Sequence, residues 1–161
     1  MALQSKVGNA SKERQDTLNK AVNWLKETKL PDSHQGKVFT ILLKLGTGST
    51  RKEVQPLLDE LLAMQQSDGG WRQTSQMTSD AYATGQSLYV LSLAGYNADH
   101  PGIQKAIEFL TSNQKPDGSW PMVARRAADD QPAKLLTPIT CAAGSWAVLG
   151  LARVVPRKEA K

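Results

Sequence analysis

The chain has 161 residues, a formal net charge of +5, 40% hydrophobic and 22% charged residues, and one cysteine. This length fits one domain or a piece of a larger one, and the composition is that of a globular protein rather than a disordered one. A single cysteine, Cys141, excludes an internal disulfide and a structural zinc site built from several cysteines.

The pattern of apolar and basic residues gives no sign of a membrane span, a signal peptide or a nucleic-acid-binding surface. No apolar run approaches the roughly 18 residues of a membrane span. Residues 1–15 are polar and contain no signal-peptide core. Lysine and arginine are spread along the chain and cluster only towards its end, where residues 156–161 are expected to form a solvated basic tail. No nucleic-acid partner is therefore predicted, and the cellular compartment stays open.

The first predicted helix covers residues 11–28, after a lead of residues 1–10 that is expected to be disordered. Proline follows Leu30, and the residue before proline disfavours helical backbone, so the helix is expected to end there. Its apolar side chains recur at the i, i+3, i+4 and i+7 spacing of a helix that faces a core. This stripe, widened by Trp24, consists of Leu18, Ala21, Val22 and Leu25.

The second and third predicted helices begin with a capping-box spacing, in which the capping residue precedes a Glu or Gln by three positions. Asp32 precedes Gln35, and Thr50 precedes Glu53. The second helix is apolar in nearly every direction, which predicts burial on most sides. The third carries a single apolar stripe and stops at Gln65.

Three more helices are predicted in the second half of the chain. Either Ser79 or Asp80 is the expected cap of the fourth helix, which is again apolar on most sides. The fifth helix is expected to begin at Asp99, with a proline in its first turn. After a long connection, Thr137 and the proline that follows it are expected to start the sixth helix.

An internal repeat relates the second, fourth and sixth helices, which align on Gly36, Gly85 and Gly144. Each follows an amphipathic helix, so the pattern predicts three hairpins over residues 11–155, treated as a single domain. Each hairpin pairs an outer helix that has one buried stripe with an inner helix that packs on several sides. The expected inner wall includes Phe39, Leu88 and Val148.

A turn motif occurs twice between an outer and an inner helix: Gln is followed by Gly four residues later and by Trp six residues later. Glutamine carries a donor and an acceptor for unpaired backbone groups at helix ends. Glycine permits a positive φ angle, and tryptophan stacks on the turn while its indole N–H donates. The motif residues are Gln65, Gly69, Trp71, Gln114, Gly118 and Trp120.

This motif resembles the QW repeat of the terpene cyclase and protein prenyltransferase superfamily, in the form found in squalene-hopene cyclases. The resemblance implies an all-α fold in which three helical hairpins, about six helices, form part of an (α/α) toroid. It covers nearly the whole chain, but only about half of the family's usual ring. In that family the motif is structural, and this role is the one expected here.

The resemblance also indicates where catalysis or metal binding would be expected. The resembling cyclases protonate their substrate with an Asp-rich motif, and no Asp-x-Asp-Asp occurs here. Asp80, at the start of an inner helix, is the candidate acid, with helix capping as the alternative. The adjacent Asp129 and Asp130 are expected to be solvated loop residues.

Resembling prenyltransferases hold zinc with Asp, Cys and His, and such residues occur here near the starts of the three inner helices as His34, Asp80 and Cys141. Their Asp-x-Cys spacing is absent, so no metal site and no cofactor are predicted. Cys141 is instead expected to be a small buried side chain.

An aromatic hollow is the other functional candidate on the inner helices, with ordinary core packing as the alternative. The expected lining of the hollow is Tyr82, Trp146, Phe39 and Tyr89. The ligand-binding candidates are His34, Tyr82, Gln86 and Trp146.

The leading functional hypothesis is therefore a repeat module of undetermined activity whose concave face binds an apolar ligand or a protein partner. The alternative is a catalytic fragment of a terpene cyclase or prenyltransferase-like enzyme. Three hairpins leave apolar surface at two open edges. The rest of a larger toroid chain or a second copy in a homodimer is expected to cover it, unless the hairpins close on themselves as a small bundle.

Overall fold

The computed structural model describes residues 12–28, 32–122 and 133–155. In this part of the chain it has an isolated antiparallel bridge, between Trp71 and Asp80, and six α-helices. The all-α prediction is thereby confirmed. The predicted lead, the basic tail, the helix end at Leu30 and the pair Asp129 and Asp130 lie outside the described residues. The helices are α1 (Lys12–Glu27), α2 (His34–Gly46), α3 (Arg51–Ala63), α4 (Ala81–Leu93), α5 (Pro101–Asn113) and α6 (Ala133–Val154).

The chain divides into two compact units, Met1–Pro31 and Asp32–Lys161, so the single domain over residues 11–155 stays a prediction. The first unit contains α1. The side chains of Leu18 and Trp24 on this helix are 54% and 62% exposed. The predicted burial of the α1 stripe is therefore wrong at these two positions.

The second unit is built around α4, which packs against α2, α5 and α6. Nine of the thirteen residues of α4 are buried, as its apolar sequence predicts. The same prediction is wrong for α2, because Val38 and Ile41 are buried but Phe39 is 45% exposed. Within this unit α2 packs mainly against α3 and α4, so one side of the helix stays open.

Two glycines allow α4 and α6 to pack backbone against backbone. A Cβ atom added to Gly85 would overlap the backbone of Trp146 and Ala147. A Cβ atom added to Gly150 would lie 2.7 Å from the carbonyl oxygen of Gly85. Real Cβ atoms do not approach other atoms this closely, so both positions need glycine. The predicted inner wall is only partly buried, because Leu88 is fully buried whereas Val148 on α6 is 56% exposed.

The predicted starts of α3 and α4 are confirmed. The Thr50 side chain accepts a hydrogen bond from the backbone N–H of Glu53, and the Glu53 carboxylate accepts one from the backbone N–H of Thr50 at 2.7 Å. Hydrogen bonds from Thr50 hold the pKa of the Glu53 carboxyl below its usual value. The Asp80 carboxylate caps α4 by accepting from the backbone N–H of Ala83 at 2.8 Å.

The predicted start of α2 is wrong by one residue. Ser33 is the N-cap, and its hydroxyl oxygen accepts from the backbone N–H of Gly36 at 3.1 Å. The neighbouring Asp32 carboxylate lies 2.7 Å from the Lys37 ammonium, which also lies 2.6 Å from Glu60. Because of these two carboxylates, the pKa of Lys37 is raised. The lysine thus engages Asp32 in an ion pair and serine takes the cap.

The predicted starts of α5 and α6 are also wrong. His100, not Asp99, caps α5, and its ring Nδ1 accepts from the backbone N–H of Gly102 at 3.1 Å. Helix α6 already begins at Ala133, so Thr137 lies inside it together with Pro138. A proline near the start of a helix removes one backbone hydrogen bond, and here the helix continues through it.

Candidate functional site

The two QW turns close in the same way around their glycines. The Gln65 side-chain amide donates to the carbonyl oxygen of Gly69 at 2.8 Å, and the Gln114 amide donates to that of Gly118 at 3.0 Å. The φ angles of the two glycines are +87° and +84°, a region that glycine adopts without strain. In both turns the glutamine and the glycine thus close the backbone in the same way.

The two tryptophans of the motif are held by equivalent hydrogen bonds. The indole N–H of Trp71 donates to the carbonyl oxygen of Leu61 at 2.7 Å, and that of Trp120 donates to Leu110 at 2.8 Å. In each case the acceptor lies ten residues earlier, in the last turn of the outer helix. The indole thus adds a hydrogen bond to a carbonyl at the end of the helix, and the Leu61 carbonyl also accepts from the backbone N–H of Met64 at 3.2 Å.

An aspartate stabilises each turn, a role that the sequence analysis did not assign. Asp68 accepts from the backbone N–H of Gly70 at 2.9 Å, and Asp117 accepts from that of Ser119 at 3.0 Å. These are the short-range bonds that aspartate makes in turns. The hydrogen bonds from Ser119 lower the pKa of the Asp117 carboxyl. The aspartate that precedes the glycine in both copies of the motif was the available signal.

Among the residues that the structure describes, the first QW turn makes hydrogen bonds to neighbouring helices that the second turn does not repeat. The Gln65 amide also donates to the carbonyl oxygen of Gly102 in α5 at 2.8 Å. The backbone N–H of Trp71 donates to the Thr84 hydroxyl of α4 at 3.0 Å, and its indole is fully buried. Gln114 in the second turn is exposed. The first turn therefore links α3, α4 and α5.

The candidate acid, Asp80, is 7% exposed and both of its carboxylate oxygens accept hydrogen bonds within the fold. One oxygen accepts from the backbone N–H of Ala83 at the start of α4. The other accepts from the side-chain amide of Gln73 at 2.7 Å. These contacts are those of a capping carboxylate, the alternative to an acid role.

The structure does not bring His34, Asp80 and Cys141 together. Within the described ranges, no group of three or more histidine, cysteine or acidic residues has the arrangement of a metal site. The predicted burial of Cys141 is wrong, because this side chain is exposed. It lies on the side of α6 away from Ala143 and Ala147, which are buried.

Two of the ligand-binding candidates lie on one face of α4, together with Tyr89 and Leu93. The Tyr82 hydroxyl accepts from the Gln35 amide of α2 at 3.1 Å. The Gln86 side chain is fully buried, and its amide makes no hydrogen bond with any residue that the structure describes. The spacing i, i+4, i+7 and i+11 puts four residues on this face. We call it the α4 inner face, and it consists of Tyr82, Gln86, Tyr89 and Leu93.

The α4 inner face is bordered by α6, which contributes the third candidate. Trp146 packs edge-on against Tyr89, with ring centroids 5.7 Å apart and an interplanar angle of 71°. The Arg153 guanidinium lies 5.5 Å from the centre of the Tyr89 ring and donates to the Ser92 hydroxyl at 2.7 Å. These contacts fix the orientation of the Tyr89 ring. The role of Arg153 was not predicted, because it depends on how α6 packs.

His34, the fourth candidate, lies apart from the α4 inner face. Its ring is 1% exposed, and Nε2 lies 2.8 Å from the Ser87 hydroxyl oxygen on α4. The histidine thereby links the start of α2 to the middle of α4. A histidine at the start of a helix more often makes a hydrogen bond of this kind than binds a ligand.

Two clefts lie at repeat-equivalent positions, a feature that the sequence did not predict. Each is bordered by the start of an inner helix, the end of the next outer helix and the segment that follows a QW turn. The larger has a volume of about 510 Å³ and is lined by His34, Met64 and Arg72, among others. The smaller, about 180 Å³, is lined by Asp80, Phe109 and other residues. Eight of the ten residues that line the larger cleft are polar or charged.

None of the helices in the described part of the chain combines the length and the apolar character that a membrane span requires. The helices and turns described above are also those of a known protein family. The profile of the squalene-hopene cyclase C-terminal domain matches residues 30–160. The chain belongs to this family.

Two curated squalene-hopene cyclases are similar to the chain. It is 30% identical over 118 residues to the enzyme of Zymomonas mobilis, and 33% identical over 116 residues to that of Bradyrhizobium diazoefficiens. These matches cover 73% and 71% of this chain. They cover only 18% and 17% of the two relatives, so the chain spans less than a fifth of either enzyme. The expected relationship to terpene cyclases is confirmed.

Proposed function

We propose that this squalene-hopene cyclase-like module binds an apolar, isoprenoid-type ligand against the α4 inner face and does not protonate it. The relatives are named for squalene and hopene, which are isoprenoid hydrocarbons. A ligand of this class needs an apolar surface of fixed shape and few polar groups.

The observation that carries the proposal is the aromatic cluster of the α4 inner face. Tyr82 and Tyr89 are half-buried, and Trp146 packs edge-on against Tyr89. Rings held in this way present a rigid apolar surface, because edge-on packing and hydrogen bonds fix their rotamers. Leu93 extends the surface at its far end, where it is 39% exposed. An isoprenoid chain gains free energy by burying its methyl branches against such a surface.

The Asp80 contacts favour binding over catalysis. A general acid must hold a proton and have a free path to the substrate. Instead, Asp80 accepts from the N–H group of Ala83 and from the amide of Gln73, so both carboxylate oxygens are engaged within the fold. The catalytic-fragment alternative would need these bonds to be replaced.

Ligand binding is testable by tryptophan fluorescence, because Trp146 borders the proposed site. The purified chain should be titrated with farnesol and with squalene delivered from detergent micelles. We expect saturable quenching, and a weakening of binding by at least about tenfold in the Tyr89→Ala variant, the equivalent of about 1.4 kcal/mol. The matched control is Tyr96→Ala, which removes a tyrosine that packs on Arg51 and His100 instead, and which should bind within about twofold of the unchanged chain.

Two results would contradict the proposal. The first is an absence of saturable binding, and the second is equal weakening by the two tyrosine substitutions. The same samples should be extracted after incubation with squalene and examined for cyclised hydrocarbon by gas chromatography. Cyclised product that is lost in Asp80→Asn would favour the catalytic alternative.

A further inference from the structure

The larger cleft is lined by an arginine that takes no part in holding the fold together. Arg72 is half-buried, and its guanidinium makes no ion pair, hydrogen bond or ring contact with any residue that the structure describes. A guanidinium is rich in N–H donors, and removing part of it from water without a partner costs free energy. An arginine in this state is suited to bind an anion that comes from outside the chain.

The backbone on both sides of Arg72 is fixed to the start of α4. The carbonyl oxygen of Trp71 accepts from the backbone N–H of Asp80 at 3.0 Å, and the side-chain amide of Gln73 donates to the Asp80 carboxylate at 2.7 Å. Trp71 and Gln73 are both buried. The guanidinium is therefore carried by a well-anchored segment, so little backbone order has to be gained when a ligand binds.

The internal repeat shows that a QW turn does not require an arginine at this position. Arg72 follows the tryptophan of the first turn, whereas Pro121 follows that of the second and lines the smaller cleft. The two turns nevertheless make the same closing hydrogen bonds from their glutamine and tryptophan side chains. The arginine is therefore a feature of the larger cleft and not of the turn.

Uncharged hydrogen-bonding groups surround the guanidinium in the larger cleft. They include the hydroxyls of Ser33, Thr74 and Ser75 and the amide of Gln66. Hydroxyl and amide groups can donate to an anion as well as accept from a neutral molecule. A phosphate group has three acceptor oxygens that point in different directions, whereas a carboxylate has two oxygens in one plane. Donors on several sides of a cleft therefore suit phosphate better.

Two further titratable groups line the larger cleft, and neither cancels the charge of Arg72. The Asp32 carboxylate would repel an anion, but it lies 2.7 Å from the Lys37 ammonium, which offsets its charge. The ring of His34 is buried, and its Nε2 is hydrogen-bonded to α4. The guanidinium is thus the one charge in the described lining that is not offset by a neighbour.

We propose that the larger cleft binds a small phosphorylated polar molecule, with its phosphate group on the Arg72 guanidinium. Arginine pairs with phosphate through two parallel N–H donors, which gives direction as well as strength to the contact. The cleft volume of about 510 Å³ falls in the range of small-molecule sites, so there is room for more than the phosphate. This site is separate from the α4 inner face, and its ligand does not depend on the isoprenoid proposal.

Isothermal titration calorimetry of the full chain at physiological salt tests this site, with glucose 6-phosphate as the probe. We expect saturable binding that is weakened at least about tenfold in Arg72→Gln. Arg72→Lys should weaken it at least about threefold, because lysine keeps the charge but loses the paired donors. The matched control is Arg51→Gln, which removes the same charge at the far end of α3, about 20 Å along the helix, and should bind within about twofold of the unchanged chain.

Two further probes identify the group that is recognised. Glucose lacks the anion and should bind at least about tenfold more weakly than glucose 6-phosphate. Gluconate carries a carboxylate on a similar body and should also bind more weakly, because it offers fewer acceptor oxygens to the surrounding donors. Thermal unfolding of Arg72→Gln should match that of the unchanged chain within about 2 °C, because the arginine makes no contact that stabilises the described fold.

Five outcomes would overturn the inference. Glucose 6-phosphate might be expected to bind the unchanged chain, and a failure to saturate would mean that the cleft is not such a site. Equal weakening by Arg51→Gln and Arg72→Gln would mean diffuse attraction to the net charge of +5. Equal binding of glucose would mean that the phosphate is not recognised, and tighter binding of gluconate would replace phosphate by a carboxylate. A clear loss of thermal stability in Arg72→Gln would give the arginine a structural role instead.

Discussion

Among single residues, the two motif tryptophans differ in how much of the fold depends on them. Trp71 is fully buried, and its backbone is bonded to α4, whereas Trp120 belongs to a turn whose Gln114 is exposed. We expect Trp71→Phe to lower the free energy of unfolding by about 2–3 kcal/mol, because it removes the indole hydrogen bond to the Leu61 carbonyl and opens a cavity in the core. Trp120→Phe should cost about 1–2 kcal/mol.

Urea unfolding of the two tryptophan variants, followed by circular dichroism, measures this difference. Phenylalanine is the matched replacement at both positions, because it keeps an aromatic ring and removes the indole N–H. A larger loss in Trp120→Phe than in Trp71→Phe would mean that the second turn, and not the first, links the helices.

The hydrogen bonds that close the QW turns span ten residues or fewer, so the residues that make them could be identified from the sequence. The bonds from the first turn to Thr84 and Gly102 span more residues and depend on tertiary packing.

Helix caps were harder to assign where two capping side chains adjoin. Asp32 and Ser33 can both cap α2, and the choice depends on Lys37, which binds the aspartate. His100 was overlooked beside Asp99 because histidine is not among the preferred capping residues.

Among the helices, the contact between α4 and α6 provides a matched pair of glycines. Gly85 and Gly144 are equivalent in the repeat. A Cβ atom at Gly85 would overlap the backbone of α6, whereas none of the described atoms lies within 4 Å of a Cβ atom at Gly144. Gly85→Ala should lower the free energy of unfolding by about 3 kcal/mol, because the helices must separate. Gly144→Ala should raise it by up to about 1 kcal/mol, because alanine favours helix.

Thermal and urea unfolding of both alanine variants measure the two effects. Equal and small changes at the two positions would show that α4 and α6 are not in backbone contact in solution. A large loss at Gly144 alone would place the close approach on the other side of α6.

Periodicity predicted that six helices form, but not which of their faces are covered. The sequences of α2, α4 and α6 are similarly apolar, yet only α4 is covered on most sides, because it lies between α2 and α6. Phe39 on α2 and Val148 on α6 are exposed because each flanking helix has an open side. For the same reason the surroundings of the α4 inner face were predicted only in part. Tyr82, Gln86 and Tyr89 were identified from the sequence, but the way in which Trp146 and Arg153 pack against Tyr89 depends on tertiary contacts.

At the scale of the whole molecule, the chain corresponds to only a small part of the enzymes to which it is similar. It aligns with less than a fifth of the length of two squalene-hopene cyclases and contains two intact QW turns. Its second unit has one well-covered helix, α4, and two helices with open apolar faces. Stability should therefore be highest around α4.

Hydrogen exchange measured by mass spectrometry tests this distribution of stability. Amides of α4 are enclosed by neighbouring helices and should exchange only when the second unit unfolds. Amides of α1, where Leu18 and Trp24 are exposed, should exchange by local opening and at least about 100-fold faster. Protection of α1 equal to that of α4 would contradict this prediction, and would mean that the apolar stripe of α1 is buried in solution after all.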